Sequence, residues 1–341
     1  MVDDPTLTDA VIPTSVLSGV LDIADQNGIV TDRWFAGTGL TAAQFGDPTT
    51  KISFRQAATI LRRALRALPP RPIGMQVGRR DVLLSFGILG FAMRACETGA
   101  EAFAIGLEFH QAAGSLVDAS AESIGDDFAL RLSERAPDSE ILPFLCEEAF
   151  SSSLLLMHAL LGNDVVPTRL EFTYPSPAYV ADYRRFFRCP MRFDSDANRM
   201  LLPKSLLESR IPTHNPVQLA AALDATRRLV DPSDRRPDVV AAVEALLREN
   251  LRRAVTMGEV ADRLHITERT LRRRLADSGY RFGEVRDRVR RQRATLLLRE
   301  SSQTIGAIAA EVGFSDGREF RRAYARWTGK PPSAERSAPA V

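Results

Sequence analysis

The chain has 341 residues, enough for about two domains. Its 45 Lys and Arg against 43 Asp and Glu leave a formal charge of +2, but 23 basic and 15 acidic residues lie from Asp234 onward and 22 and 28 before it. At 45% hydrophobic and 26% charged the composition excludes a disordered chain, and the basic back end points to a polyanionic partner.

The longest apolar run, Leu83 to Met93, ends at Arg94 and is too short to span a bilayer. The acidic start MVDDPTLTD lacks the charged-then-apolar order of a secretory signal. Cys96, Cys146 and Cys189 are far apart, with no CxxC and no neighbouring pair of histidines. The expectation is therefore a cytoplasmic protein with reduced thiols and no metal site. Lysine occurs only at positions 51, 204 and 330. The arginine excess reads mainly as coding bias, so the count by itself says little about phosphate.

In chain order, residues 14–26 and 54–68 read as helices, the second with Ala57, Ile60, Leu61, Ala64, Leu65 and Leu68 on one stripe. Residues 100–113 and 140–161 also read as helices. Between them SLVDASAE and DFALRLSE are predicted strands joined by Ser123 to Asp126. TRLEFTY (168–174) alternates as a half-buried strand, and 191–203 reads as a hairpin around Asp194 to Asn198. The front is thus α+β, about 225 residues, and large enough to bury a core and a pocket. LVDPSDRRPDVV (229–240) supplies a helix stop and a polar connector. Everything after it reads helical, starting with an amphipathic helix over 238–250.

The back contains a repeat. Sliding 255–267 forward by 48 places Met257 on Ile305, Val260 on Ile308, Ala261 on Ala309, Leu264 on Val312 and Thr267 on Ser315. Each copy has the logic of a helix, a tight turn and a second helix crossing the first. The turn needs a left-handed residue, which is Gly313 in one copy and His265 in the other. Thr267 and Ser315 are predicted to cap the second helices, 267–279 and 315–329. Leu271 and Leu275 face inward in the first, and Phe320, Tyr324 and Trp327 in the second, which has one extra residue before its first anchor. The opposite faces carry Arg269, Arg272, Arg273 and Arg274, and Arg318, Arg321 and Arg322. A lone RRR is ordinarily a solvated face, whereas two capped copies at matching offsets point to the DNA major groove. Residues 282–301 form one spacer helix of roughly 27 Å, suited to successive grooves about 34 Å apart.

Residues 237–336 resemble the AraC/XylS family of bacterial transcription regulators. The pattern runs through Val260, Ala261, Leu264, Thr267, Leu271 and Leu275, then Arg290, Arg293, Ala294, Leu297 and Leu298. It ends in GFSDGREFRRAYARWTGKPPSAER, with Gly313, Phe314, Ser315, Phe320, Gly329, Pro332 and Arg336 in register. Glu335, His265 and Arg291 depart from it at turn and packing positions. The resemblance implies an all-α domain with two helix-turn-helix units joined by a linker helix, reading double-stranded DNA, often as an activator that contacts RNA polymerase. The candidate DNA-binding residues are Thr267, Glu268, Arg269, Thr270, Arg272, Arg273, Arg274, Ser315, Asp316, Arg318, Glu319, Arg321 and Arg322. Thr267, Ser315 and the helix N-termini suit phosphates, and Arg269, Arg273, Arg318 and Arg322 suit guanine edges.

Residues 87–117 and 170–209 resemble the arabinose-binding-like N-terminal domain of the ornithine- and virulence-regulator branch. Tyr174, Pro175, Tyr179, Tyr183, Phe187, Cys189, Pro190, Arg192 and Phe193 carry that pattern. The implied organisation is an effector-sensing, dimerising domain at 1–230, a linker at 231–236, the DNA-binding domain at 237–336 and a tail at 337–341. It does not follow that arabinose is the effector. Tyr174, Tyr179 and Tyr183 are the candidate effector-pocket residues, with an ordinary aromatic core as the competing reading.

No catalytic residue or cofactor emerges. Gly37, Gly39 and Ala42 spell GxGxxA, but no strand precedes them and no suitable acid follows. His110, His158, His214 and His265 are scattered, and Ser151 to Ser153 lack a nucleophile elbow. Three readings stay in play: an effector-responsive transcription regulator, a regulator controlled by a protein partner and lacking an internal pocket, and a DNA-processing enzyme needing clustered carboxylates for two metals. The first fits best.

Overall fold

In the computed structural model of the chain, described over residues 5–47, 50–162, 165–230, 236–253 and 255–336, the front is α+β and the back all helical. Two compact units are drawn from Met1–Phe35 with Thr41–Arg236, and from Ala36–Leu40 with Pro237–Val341. Of the expected linker, 231–235 lie outside the described residues, as does the tail.

Helices α1 (Ser15–Gln26) and α2 (Phe54–Ala67) stand where the apolar spacing predicts them. A capping box between Ser53 and Gln56 starts α2, and its stripe of Ala57, Ile60, Leu61 and Ala64 is fully buried. Next come α3 (Ile73–Gly78), α4 (Val82–Arg94, broken at Gly87) and α5 (Gly99–Phe109), which a 3-10 turn, His110–Ala113, completes. Strands β1 (Val117–Ile124) and β2 (Asp127–Glu134) form an eight-residue hairpin with a turn tighter than the sequence suggests. Helix α6 (Leu142–Leu161) follows, then β3 (Arg169–Glu171), α7 (Val180–Phe187), β4 (Met191–Arg192), β5 (Asn198–Pro203) and α8 (Pro216–Leu229).

Two strand expectations are corrected. The strand predicted at 168–174 is only three residues long, and 191–203 is not a hairpin. The sheet order is β1-β2-β5-β3-β4, so β3 lies between the two supposed partners. The chain leaving β4 stays on β3: Asp194 N donates to Tyr174 O and Ser195 N to Phe172 O. Strand β5 then takes the opposite edge of β3 and pairs onward with β2.

The sheet, antiparallel but for the parallel pair β3 and β4, is two-faced. Its outer face carries an ionic network in which Arg199 reaches Glu122 (2.6 Å), Glu171 (3.2 Å) and Asp196 (2.8 Å), while Arg131 also holds Glu122. The inner face, with Phe128, Leu130, Leu132 and Leu202, turns toward the helices. Gly74 and Gly78 let α3 lie directly on α6, since a Cβ at either would meet α6 backbone at 2.2 or 2.5 Å. Among the described residues α6 is the one helix long and apolar enough to cross a membrane, and over half of it is buried inside the front unit.

The back comprises α9 (Asp238–Glu249), α10 (Met257–Arg263), α11 (Glu268–Asp277), α12 (Phe282–Glu300), α13 (Ile305–Glu311), α14 (Gly317–Thr328) and α15 (Pro332–Arg336). It has two cores. Helices α9, α10 and α11 close the first with Val285 and Val289 of α12. Helices α13 and α14 close the second with Ala294, Leu297 and Leu298 of the same α12. Between them Arg290, almost fully buried, donates to Gly313 O (3.1 Å) and stacks over Phe314 at 5.0 Å. One helix is thereby a wall of both units.

Candidate nucleic-acid interface and an internal cavity

Both copies of the repeat are helix-turn-helix units with the same local chemistry. Thr256 and Thr304 cap the first helices, each hydroxyl accepting a backbone N–H at 3.2 Å. His265 (φ 54°) and Gly313 (φ 80°) supply the left-handed turn residue in each. At Gly313 a Cβ would also sit 2.3 Å from Leu251 O, so this turn accepts no side chain.

The second helices differ from expectation in one respect. Thr267 caps α11, its hydroxyl accepting the Thr270 N–H at 3.2 Å. Ser315 does not cap α14; Asp316 does, accepting the Arg318 N–H at 2.8 Å. Ser315 is the extra residue, placed in the turn. Counting from the caps, the helices fall into register: arginine two on (Arg269, Arg318), a buried anchor four on (Leu271, Phe320), arginines five and six on (Arg272, Arg273 and Arg321, Arg322), and a second anchor eight on (Leu275, Tyr324). At 3.6 residues per turn the arginines two and six on lie opposite the anchors.

Of the thirteen candidate DNA-binding residues, all are exposed except Thr270, which is half-buried with its hydroxyl 2.9 Å from that of Thr267. Glu268 holds Arg272 at 2.5 Å. Among the described residues Arg269, Arg273, Arg274, Arg318, Arg321 and Arg322 have no ion-pair partner. Several arginines off these faces are engaged: Arg252 with Glu311, Arg263 with Glu249, Arg299 with Glu335, and Arg326 with Asp287. Glu319 is exposed beside Arg318.

The front unit holds a cavity of about 140 Å³ between the inner face of the sheet and helices α4, α5 and α6. Val117, Ala119, Phe128, Leu130, Leu132 and Leu202 line it from the sheet, and Gly99, Ala102, Phe103, Gly106, Leu107 and His110 from α5. Helix α6 contributes one stripe, Glu148, Ala149, Ser152, Ser153, Leu156, Met157, Leu160 and Leu161. Ser15, Arg80, Ser85 and Ser115 add polar groups.

Tyr174, Tyr179 and Tyr183 do not line this cavity. They gather on the other side of α6 around Glu147, whose Oε1 accepts from Tyr183 (2.6 Å) and Tyr179 (2.9 Å) and whose Oε2 accepts from Gly74 N (2.9 Å). Tyr174 reaches the cluster through Tyr183 at 3.3 Å, and Phe172 packs against both rings. Burial pushes the Glu147 carboxyl up to about 7 against the pull of these donors. The aromatic stripe is therefore a core arrangement that satisfies one buried acid. The residues that do face the cavity, Glu148 and His110 among them, were invisible as a group because they meet only through the tertiary fold. The legible trace was a carboxylate followed by serines at helical spacing in an otherwise apolar helix.

Gly37 and Gly39 adopt positive φ (73° and 77°) in a turn with no strand before it, and among the described residues no group of three or more His, Cys, Asp or Glu is placed to hold a metal. The three cysteines are free.

An α+β domain containing a ligand-sized cavity, coupled in one chain to paired helix-turn-helix units, defines a DNA-binding transcription regulator. Residues 28–211 match the arabinose-binding domain of AraC transcription regulators, N-terminal, and residues 260–338 match a helix-turn-helix domain. The chain belongs to the AraC family of transcription regulators. It is 25% identical over 334 residues to the ornithine utilization regulator of Pseudomonas aeruginosa, covering 97% of this chain and 98% of that one. It is 27% identical over 323 residues to an uncharacterised HTH-type transcriptional regulator of Mycobacterium tuberculosis, with 92% of each covered. Among solved structures, the transcriptional regulator CdpR from Pseudomonas aeruginosa aligns over 95% of this chain and 98% of its own, at 23% identity and a TM-score of 0.47.

Proposed function

We propose that this regulator is an effector-responsive activator whose two helix-turn-helix units read successive major-groove segments on one face of double-stranded DNA. The observation that carries the reading is the set of six exposed arginines without ion-pair partners on α11 and α14, four of which, Arg269 with Arg318 and Arg273 with Arg322, stand at equal offsets from the caps. Helix α12, 19 residues or roughly 28 Å long, is built into both cores and suits a stiff spacer between reading heads. Arg269, Arg273, Arg318 and Arg322 read base edges, while Thr267, Thr270, Ser315, Arg274 and Arg321 meet phosphates. Asp316, Glu268 and Glu319 shape the face by excluding phosphate near them. Residues 1–230 form the effector domain, residues 237–336 the DNA-binding domain, and RNA polymerase and a second copy of the chain are the further partners. The regulator works in the cytoplasm without a catalytic step or cofactor.

The internal cavity favours a small-molecule effector over control by a protein partner alone. Binding of the purified chain to fragmented DNA of its own source, read by sequencing, tests the DNA half. A few sharp peaks, each with two blocks about one helical turn apart, are expected. Diffuse enrichment across the genome would refute specific bipartite reading.

A further inference from the structure

The cavity in the front unit is graded along its length. On the α6 stripe the lining starts with Glu148 and Ser152 and ends with Leu156, Met157 and Leu160. From Glu148 to Leu160 the helix rises roughly 18 Å, so one end is polar and the other a long apolar sleeve. The lining holds two groups lacking a donor. Glu148 lines the cavity and among the described residues accepts no hydrogen bond, the nearby Ser152 hydroxyl donating instead to Ala149 O at 3.2 Å. His110 Nδ1 lies 2.8 Å from Leu107 O, a carbonyl that can only accept, so the proton sits on Nδ1 and Nε2 is left as a lone-pair acceptor. That Nε2 is buried without a hydrogen bond; the Asp118 carboxylate, an acceptor, lies 3.9 Å away and is itself paired with Arg135, whose charge also acts on the imidazole. Arg80 also borders the cavity, but its charge is balanced by Asp22 at 2.9 Å and it donates to Ser15 O. The positive charges here are already balanced, and the hydroxyls of Ser15, Ser115 and Ser152 donate to backbone carbonyls, so the lining has acceptors to spare and few uncommitted donors.

We propose that the cavity takes a hydrophobic primary amine, an alkyl- or arylalkyl-ammonium whose N–H groups meet Glu148 and whose apolar body lies along Leu156, Met157 and Leu160. This rests on the reading that the cavity is the effector site. A ligand headed by a carboxylate would set like charges together, and a small polar amine would leave the sleeve unfilled.

The test compares octylamine, octanol, octanoate and ethanolamine, each below its aggregation concentration, on the full chain by thermal shift and calorimetry. Octylamine is expected to raise the melting temperature and to bind more tightly than the other three. Glu148→Gln is expected to weaken octylamine about tenfold or more, as loss of a charge-assisted bond does, and to leave octanol within about twofold. Ser153→Phe, which fills the sleeve midway, is expected to abolish binding of all the eight-carbon probes, and it decides the matter if the Glu148 variant does not fold. Tighter binding of octanoate or octanol than octylamine would overturn the amine assignment while leaving the cavity as the effector site. No binding by any probe, together with unaltered regulation by the Ser153 variant, would overturn both.

Discussion

The two candidate sites of this chain each leave charged or polar groups without partners, in opposite places and of opposite character. In the back, six arginines stand unpaired on the exposed faces of α11 and α14, while several others in the same domain, such as Arg252, Arg263 and Arg299, hold glutamates. At the front cavity, the unmatched groups are acceptors, Glu148 and the Nε2 of His110, and they lie against an apolar wall. An exposed arginine costs little to keep, because water solvates it until a phosphate or base replaces the water. A buried acceptor is expensive to keep, so its persistence beside a cavity marks a place where a donor is supplied from outside. The surface set suits a long polyanion, and the interior set suits a small molecule.

Removing or screening each set should have separable effects. The largest is on DNA: affinity for the operator should fall about a thousandfold between 50 and 200 mM salt if six or more phosphates are contacted. A flat salt response, read by fluorescence anisotropy, would deny the basic face any role. Next comes the asymmetry between the turns. Gly313→Ala combines a left-handed backbone with a Cβ 2.3 Å from Leu251 O and should cost about 3 kcal/mol or more. His265→Gly relieves the milder version of the same strain and should stay within about 1 kcal/mol of wild type. Denaturant unfolding that gave equal losses at both turns would refute the asymmetry drawn between them.

Adjacent carboxylates on α6 sharpen the contrast within the front. Burial pushes both Glu147 and Glu148 up to about 7 from an ordinary 4.5, so between these values the folded chain holds more protons than the unfolded one. Their contribution to stability is present at low pH and is lost as pH rises from about 4.5 through 7. Glu148→Gln should therefore make the ligand-free chain more stable than wild type above pH 7, by up to about 3 kcal/mol, with the gap closing near pH 4.5. Glu147→Gln instead sets an amide among three donors and should destabilise by about 1–3 kcal/mol even at low pH. Melting curves at pH 5 and 8 separate the two. Equal behaviour of both variants would mean that Glu148 is satisfied in a way its surroundings do not suggest.

The back was largely legible in the sequence because each of its units is local. A stripe at helical spacing, a residue able to turn left-handed and a hydroxyl cap all fall within about twenty residues, and the two copies check each other. The error there was also local: Ser315 and Asp316 can both cap, and only the anchor spacing of Phe320 and Tyr324 shows that the cap moved by one. The front was legible as α+β and as helices α1, α2 and α6, yet not in its strand pairing. Which strands sit beside β3 depends on β4 and β5, joined by a short link, taking opposite edges of a strand that lies well before both in the chain, and no short-range pattern records it. The cavity was missed for the same reason. Tyr174, Tyr179 and Tyr183 formed the most conspicuous aromatic stretch, but the fold spends them on Glu147, while Glu148 and His110 meet the cavity from different elements.

The central claim is that α11 and α14 are equivalent reading heads set on one helix. The most direct test is a footprint of the full chain on one of its own high-affinity sites, comparing wild type with Arg273→Ala and Arg322→Ala. Each substitution should cost about 1–3 kcal/mol of specific binding and should erase protection of a different block, one for each variant. Loss of the same block in both, or intact protection in both, would contradict the assignment.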